Sequence, residues 1–583
     1  MKEDNKKKCR ILIIFLSLLF IFIIITGCSA SQEVHQTEIK KDQEFDQGSI
    51  LEFSDISEQK IEDFAKLSKV WGLVKYYHPK VVSGDINWDY ELFRVMPSIL
   101  EENSDVNSIL YEWVHTLGNE TVPGDLEQQY QFSEDSIQLS PTTDWSKDEE
   151  YLGTDLSLKL SKILDSNISE RKNAYVSFND DSPLAIMHNE NSYTSMKFDD
   201  TGYRLLGLFR YWNIIEYYFP YKDVIGEDWD QVLLEFIPKM IDGSDYDSYF
   251  MTLAELTTRV HDSHVYLTGK NRESITEYFG TYRLPVNFVE INNQIVISTV
   301  YNKCGLEVGD IVLKVGDNSI DELLEDRRKY ISQSREDTSR QFFNALFRTH
   351  QKNMDVTVIR QGKTMNISAT SSLQEINYFV NTKSQAMENG EIYYINAGLL
   401  VDGEIDNIMK KWWDTKGLIV DLRNYPSSPL DYKLAQYLIP SEKEFAKASL
   451  PNRAVPGEYY FEPLVSGKPQ RTDDEVYKGK VVILINEQTI SNGEFTTMLL
   501  RKTENSIVLG RPTAGADGNI FSITLPGNIK TTISGIGIFY PEKKPTQRIG
   551  VQPDIRLDPT IEGIMEGRDE YVERAVELIK DGY

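Results

Sequence analysis

Two stretches of this chain repeat each other at a fixed offset of 141 residues, and no other feature constrains the fold as much. Trp71, Tyr76, Tyr77, Pro79, Trp88, Asp89 and Pro97 recur without a gap as Trp212, Tyr217, Tyr218, Pro220, Trp229, Asp230 and Pro238. Self-similarity of this kind has to be read as two copies of one unit. Each copy reads as an amphipathic helix, a turn at Tyr-Tyr-x-Pro and a second helix. Aromatic side chains at helical spacing supply packing area, so these are expected in the core and not around a ligand. The copies part at their ends. Only the second runs on into "ELTTRVHDSHVYLTG" (Glu255–Gly269), which carries His261, Asp262, Ser263 and His264; the matching positions of the first copy are Glu120–Pro123.

Beyond the repeats the period changes. From about residue 278 to 373 the text is short-stranded: "LPVNFVEINNQIVISTV" alternates, and "MDVTVIRQGKTMNISAT" reads as a hairpin on a Gln-Gly turn. Gly305–Ile320, "GLEVGDIVLKVGDNSI", resembles the PDZ signature, in which a Gly-Leu-x-x-Gly-Asp turn precedes a strand; helix-like text at Asp321–Gln351 interrupts it. A PDZ-type domain would take up an extended peptide end as an added strand. A generic small β domain is the plainer alternative. From Glu391 onward, continuous apolar strands alternate with helices, which indicates a largely parallel sheet buried on both faces. Ligands of such sheets sit at the carboxyl ends of the strands. "DLRNYPSS" (Asp421–Ser428) and "NEQTISNGE" (Asn486–Glu494) both fall there.

At 583 residues the chain is too long for one core. Its net charge of −28 argues against a nucleic-acid partner, because phosphate binding needs clustered cations. Lys2–Arg10 is basic, Ile11–Ile25 almost wholly apolar, and "ITGC" (Ile25–Cys28) follows. This order reads as an export signal, and its apolar part is short for a membrane span. "ITGC" resembles a bacterial lipobox. The resemblance implies cleavage before Cys28, lipid on its thiol, and an extracytoplasmic protein anchored to the cell membrane. The polar residues 29–50 read as a tether. With Cys9 lost in the signal and Cys28 lipidated, Cys304 stands alone, so no disulfide framework or cysteine zinc site is expected.

Ser491 stands where a buried strand hands over to a helix. With Glu494 it spells a capping box, "SNGE". The same place would present a nucleophile next to the donors and partial positive charge of a helix N-terminus, which an oxyanion needs. The pentapeptide admits either reading. A serine nucleophile needs a base, and only His261 and His264 sit in a dense polar cluster. As a metal pair they lack a third ligand in a familiar zinc pattern.

"DSHVYL", "VDLRNYPSS", "NEQTISNGEF", "GRPTAGADGN" and "RIGVQPDI" occur in the order and at about the spacing of the S41-type tail-specific, or C-terminal-processing, serine peptidases. The resemblance covers roughly 250–560. It implies a multidomain α+β chain: a signal peptide (1–27), a tether (28–50), a first helical repeat with an insert at 125–190 (51–195), and a second repeat carrying Ser263-His264 (196–277). A PDZ-like domain (278–375) and a crotonase-like catalytic domain (376–583) would follow. One branch of the family places a lysine where this chain has Ala516, so the resemblance is to the tricorn-like Ser-His branch. It implies Ser491 as nucleophile, His264 as general base and Ser263 orienting it. Gln547 falls where that branch has a glutamate. Backbone N–H groups of Asn492 and Ser427 would form the oxyanion hole, although Ser427-Ser428 replaces a Gly-Gly pair. The implied activity is endopeptidase cleavage of a polypeptide held by its C-terminus, with no metal or cofactor. A catalytically impaired relative that binds peptide or cell wall is the alternative.

Overall fold

The computed structural model describes residues 42–53, 56–118, 130–166, 168, 171, 174–179, 181–187, 189–271, 273–335, 345–373, 380–467 and 476–581. The expected signal peptide, Cys28, the tether as far as residue 41 and part of the insert (125–129, 167, 169–170, 172–173, 180 and 188) lie outside them. Among the described residues no helix is long and apolar enough to cross a membrane. The chain divides into two compact units, one of residues 1–256, 449–461 and 519–536, the other of 257–448, 462–518 and 537–583.

In the first unit the duplication is realised as two helix pairs, α1 (Glu58–Tyr77) with α2 (Trp88–Leu100), and α3 (Thr201–Tyr218) with α4 (Trp229–Asp242). Within each pair two indoles exchange hydrogen bonds with backbone. Trp71 Nε1 donates to Trp88 O at 3.0 Å and Trp88 Nε1 to Trp71 O at 2.9 Å. Their counterparts Trp212 and Trp229 do the same at 2.7 and 3.1 Å. Between copies the contacts are reciprocal. Lys69 of α1 pairs with Asp230 at 2.8 Å, and its counterpart Arg210 of α3 with Asp89 at 2.7 Å. Tyr76 meets Tyr218, and Tyr77 meets Tyr217. Gly72 lies against the side chain of its own equivalent, Asn213. Contacts that map onto themselves under the repeat are what a local two-fold relation produces.

The expectation of an amphipathic first helix fails for α3, every residue of which is buried. A helix enclosed on all sides has no polar face to give a period. Its polar side chains are instead bonded internally: Asn213 donates to Ser68 O and Phe209 O, and Arg210 joins Lys75, Asp89 and Glu190 in a cluster with no exposed side chain. The aromatics do form core, as expected. The insert is more regular than its text suggests, with a helix at Thr154–Leu164 and a strand at Ile137–Leu139. That strand pairs with Tyr459 and Tyr460 in a five-stranded sheet, in the order Ile137–Leu139, Tyr459–Val465, Glu444–Pro451, Ile529–Phe539, Gly518–Leu525. Nothing in the sequence reading anticipated these last four strands.

Two larger sheets among the described residues lie in the second unit. The first is antiparallel, with β1 (Val286–Ile291), β2 (Gln294–Val300), β3 (Ile311–Val315), β4 (Asn353–Arg360) and β5 (Lys363–Thr370) in the spatial order β5-β4-β3-β2-β1. The alternating run is the β1–β2 hairpin: Asn292 and Asn293 turn it with φ of 51° and 62°. Gln361 and Gly362, at 49° and 74°, turn the expected β4–β5 hairpin. Two consecutive positive φ values match the twist of tight hairpins. The other sheet has β6 (Gln385–Met387), β7 (Ile392–Asn396), β8 (Gly417–Asp421), β9 (Lys480–Ile485), β10 (Ser506–Gly510) and β11 (Ile555–Arg556) in that spatial order. From β7 on, the strands are parallel. Ile419, Val482 and Leu484 are wholly buried in a core that includes Ala575, Leu578 and Ile579. The helix α5 (Asn492–Leu500) leaves the carboxyl end of β9. The chain is a multidomain α+β protein, as its motifs imply.

Candidate active site

β9 ends at Ile485, and the loop 486–490 folds on itself before α5. Thr489 N–H donates to Asn486 O, and its hydroxyl to Leu422 O at 2.9 Å, which ties this loop to the end of β8. Ser491 follows, part-buried, with φ 53° and ψ −120°. A non-glycine residue held there is strained, and such strain persists only where surrounding contacts over-determine it. Here they do. Ser491 N–H donates to Ala516 O at 2.9 Å and to Glu494 Oε2 at 3.1 Å. The other Glu494 acceptor sites take Ala516 N–H at 3.0 Å, Gly515 N–H at 2.9 Å and the Thr513 hydroxyl. Glu494 is wholly buried. Burial raises its carboxyl above the ordinary range, and these hydrogen bonds act the other way. Beside it, Asp517 is raised well above the carboxylate range, first by burial and then by the Glu494 charge. Glu494, noted in the sequence only as a helix-cap partner, is thus the brace of the whole turn. Ala516, where a lysine would stand in the other branch, is buried and serves through its backbone alone.

The histidine segment is in the same unit. Asp262 is wholly buried, and its Oδ1 meets His264 Nδ1 at 3.2 Å and accepts the His264 N–H at 2.9 Å. Asp262 thus contacts the His264 ring, where the resemblance implied Ser263. That residue pairs with Ser334: Ser263 N–H donates to Ser334 Oγ at 2.8 Å, and Ser334 N–H to Ser263 Oγ at 2.9 Å. A carboxylate on Nδ1 fixes the tautomer that leaves Nε2 as the basic nitrogen. Asp262 was visible in "HDSH", two residues before His264, a spacing that lets its carboxylate cap the turn. Gln547 donates Nε2–H to His261 O at 2.9 Å and to Ser334 Oγ at 3.2 Å. An ionised glutamate could not donate either bond. The glutamine therefore braces the histidine loop, and the negative charge comes from Asp262.

One hydrogen-bonded path joins these parts. Gln547 holds the histidine loop, its neighbour Arg548 donates N–H to Gly515 O at 2.9 Å, and Gly515 and Ser491 both donate to Glu494. The oxyanion hole differs from expectation. Ser427 N–H donates to Ala397 O at 3.0 Å, and its hydroxyl to Leu400 O at 2.6 Å, so this N–H is committed and is not the second donor. Losing the glycine pair fits this, since the chain here takes a course any residue can adopt. Burial raises the Tyr425 phenol above its ordinary value, and the nearby Ser491 side chain and Asn492 N–H act the other way. Sequence reasoning passed over Tyr425.

The strained serine turn and the Asp262–His264 pair thus belong to one compact unit. Residues 390–557 match the model of peptidase family S41. A protein of Chlamydia trachomatis serovar D (strain ATCC VR-885 / DSM 19411 / UW-3/Cx) is 31% identical over 107 residues, 18% of each chain. One of Chlamydia muridarum (strain MoPn / Nigg) is 29% identical over 107 residues, again 18% of each. The match thus spans under a fifth of the length of these relatives. Among solved structures, mature CPAF shares 15% identity at a TM-score of 0.52, covering 65% of this chain and 98% of that one. Mature CPAF complexed with lactacystin shares 14% at 0.51, covering 65% and 99%. At that identity the likeness is one of fold.

Proposed function

We propose that this protein is a membrane-anchored, extracytoplasmic serine endopeptidase that cleaves polypeptides through an acyl-enzyme on Ser491. The observation that carries the reading is the braced path from the Asp262–His264 pair to the Ser491 turn within one compact unit. His264 Nε2 takes the Ser491 proton as Oγ attacks the peptide carbonyl, and Asp262 stabilises the imidazolium. The proton passes to the leaving amine, and water then releases the acyl group. Asn492 N–H, at the start of α5, donates to the oxyanion. Anchoring is through lipid on Cys28. The antiparallel sheet of 286–370 would act as a PDZ-like domain that receives the substrate's C-terminus along an edge strand.

The decisive experiment is labelling of the full chain with a fluorophosphonate. Wild type is expected to label, Ser491→Ala not at all, and His264→Ala roughly 100- to 10,000-fold more slowly. An unlabelled wild type, or equal labelling of Ser491→Ala, would sink the proposal. The committed Ser427 N–H favours the second reading, a relative that binds peptide without cleaving it. In that case wild type would bind peptides but show neither labelling nor hydrolysis.

A further inference from the structure

The helix-like text that interrupts the antiparallel sheet opens as the helix Ile320–Arg328, and the segment Ile331–Arg335 follows it. Ile331 is buried in the core of that sheet with Val286, Phe288 and Val356. The residues after it turn to the Ser491 site instead. Ser332 and Ser334 are buried, and their hydroxyl oxygens accept two consecutive backbone N–H groups of the histidine loop. Asp262 N–H donates to Ser332 Oγ at 3.2 Å, and Ser263 N–H to Ser334 Oγ at 2.8 Å. Ser334 N–H returns a bond to Ser263 Oγ at 2.9 Å.

Arg335 reaches the nucleophile's half of the site. Its Nη1 donates to Thr513 O at 3.0 Å and to Ile549 O at 3.3 Å. Its Cγ and Cδ lie over Gly515, where an added Cβ would come within 3.2 Å of both. Thr513 and Gly515 are themselves donors to Glu494, the brace of the Ser491 turn. Gln547 closes the circuit by donating to Ser334 Oγ at 3.2 Å. Two adjacent side chains therefore hold the two loops that carry the base and the brace of the nucleophile, and Ile331 ties both to the sheet core.

We propose that Ser334 and Arg335 are positioning residues, a clip that sets the His264 loop against the Ser491 turn. This rests on Ser491 being the nucleophile and His264 its base. Both act through the enzyme's own main chain: Ser334 on the N–H of Ser263, Arg335 on the carbonyls of Thr513 and Ile549. A charged donor shared by two carbonyls holds them more firmly than a neutral one. Loss of the clip slows acylation, which needs base and nucleophile aligned, and leaves substrate binding as it was.

The test uses the full chain with three substitutions. Arg335→Met keeps the stem over Gly515 and removes the donors, Arg335→Lys restores one charged donor, and Ser334→Ala removes the hydroxyl. Fluorophosphonate labelling rates and the hydrolysis of fluorescein-labelled casein are measured, and urea melts give the folded fraction of each variant. Per folded molecule, Arg335→Met and Ser334→Ala are expected to lose roughly 100-fold in labelling rate and kcat, with KM within about threefold of wild type, the effect of about an ångström of misplacement. Arg335→Lys should recover most of the rate lost in Arg335→Met. A rate loss accounted for by the unfolded fraction overturns the proposal, because a merely structural role produces that. Wild-type rates in Arg335→Met or Ser334→Ala overturn it too, as does a lysine variant as slow as the methionine one. In each of these cases the peptidase reading stands, since wild type labels; if wild type does not label, both fall together. Should Arg335→Met fold too poorly to measure, Ser334→Ala decides by the same rate per folded molecule.

Discussion

Glu494 is a buried carboxylate that accepts from Ser491, Gly515 and Ala516 N–H groups and from the Thr513 hydroxyl. Both oxygens are used, each by two donors. An amide in its place would turn an NH2 group toward two of those donors, whichever way it faced. Glu494→Gln is therefore expected to lose about 2 kcal/mol of stability through unsatisfied donors. Because the same bonds hold Ser491 at φ 53°, the acylation rate should fall on the order of 100-fold, the effect of roughly an ångström of misplacement. Urea melts and fluorophosphonate kinetics measure the two. Unchanged kinetics in a destabilised variant would mean that the turn holds its shape without this brace. Ser491, Glu494, His264 and Gln547 were all legible, because motifs name residues at fixed places on the backbone. Asp262 stands in the same motif, but its contact with the His264 ring was not legible, since it depends on which neighbour's hydrogen bond is already committed. Ser427 failed as a donor for the same reason.

The helices of the two repeats meet where Gly72 of α1 lies against Asn213 of α3. In an open helix, replacing glycine by alanine gains about 1 kcal/mol. Here the new Cβ would fall on the Asn213 side chain, and overpacking costs about 1–3 kcal/mol. Gly72→Ala should therefore be net destabilising. On an Asn213→Ala background, which removes the obstructing atoms, the same change should become neutral or favourable. Urea melts of the four proteins give the coupling, and additive effects would show that the two positions do not share space. The element scale is also where the sequence read best. Strands β7 to β10 and the helices between them were visible as apolar runs and capped periodic segments. The strands at Glu444–Pro451 and Gly518–Leu525 were missed because each is interrupted in burial. The β1–β2 turn was missed because Asn-Asn breaks no alternation in the text, although both residues take positive φ.

At the level of the whole molecule, one buried carboxylate in each unit makes stability respond to pH with opposite sign. In the first, burial pushes the Asp89 carboxyl up, but the Lys75 and Arg210 charges and a Tyr193 hydrogen bond outweigh it and leave the pKa below the ordinary 3.8. The unfolded chain then binds that proton more tightly than the folded one. Asp89 contributes its full stability above about pH 4 and loses it as pH falls through the depressed value. In the second unit Asp517 is raised by burial and by Glu494, so the folded state binds its proton more tightly. Its contribution is greatest in acid and declines as pH rises from the ordinary value through the raised one. Asp89→Asn leaves Lys75 and Arg210 with one carboxylate between them and should cost about 3 kcal/mol at pH 7. The deficit should shrink below pH 4, where wild type loses the same charge. Tryptophan fluorescence follows this directly, because six of the eight tryptophans, all but Trp412 and Trp413, lie in the residue ranges of the first unit. For Asp517→Asn, which mimics the protonated acid, stability relative to wild type should rise as pH increases from 5 to 9. That is read from urea midpoints with fluorophosphonate labelling of Ser491 as the reporter of the second unit. A deficit of Asp89→Asn that is equal at pH 7 and pH 3.5, or an Asp517→Asn difference that does not grow with pH, would show that these charges do not set the two slopes.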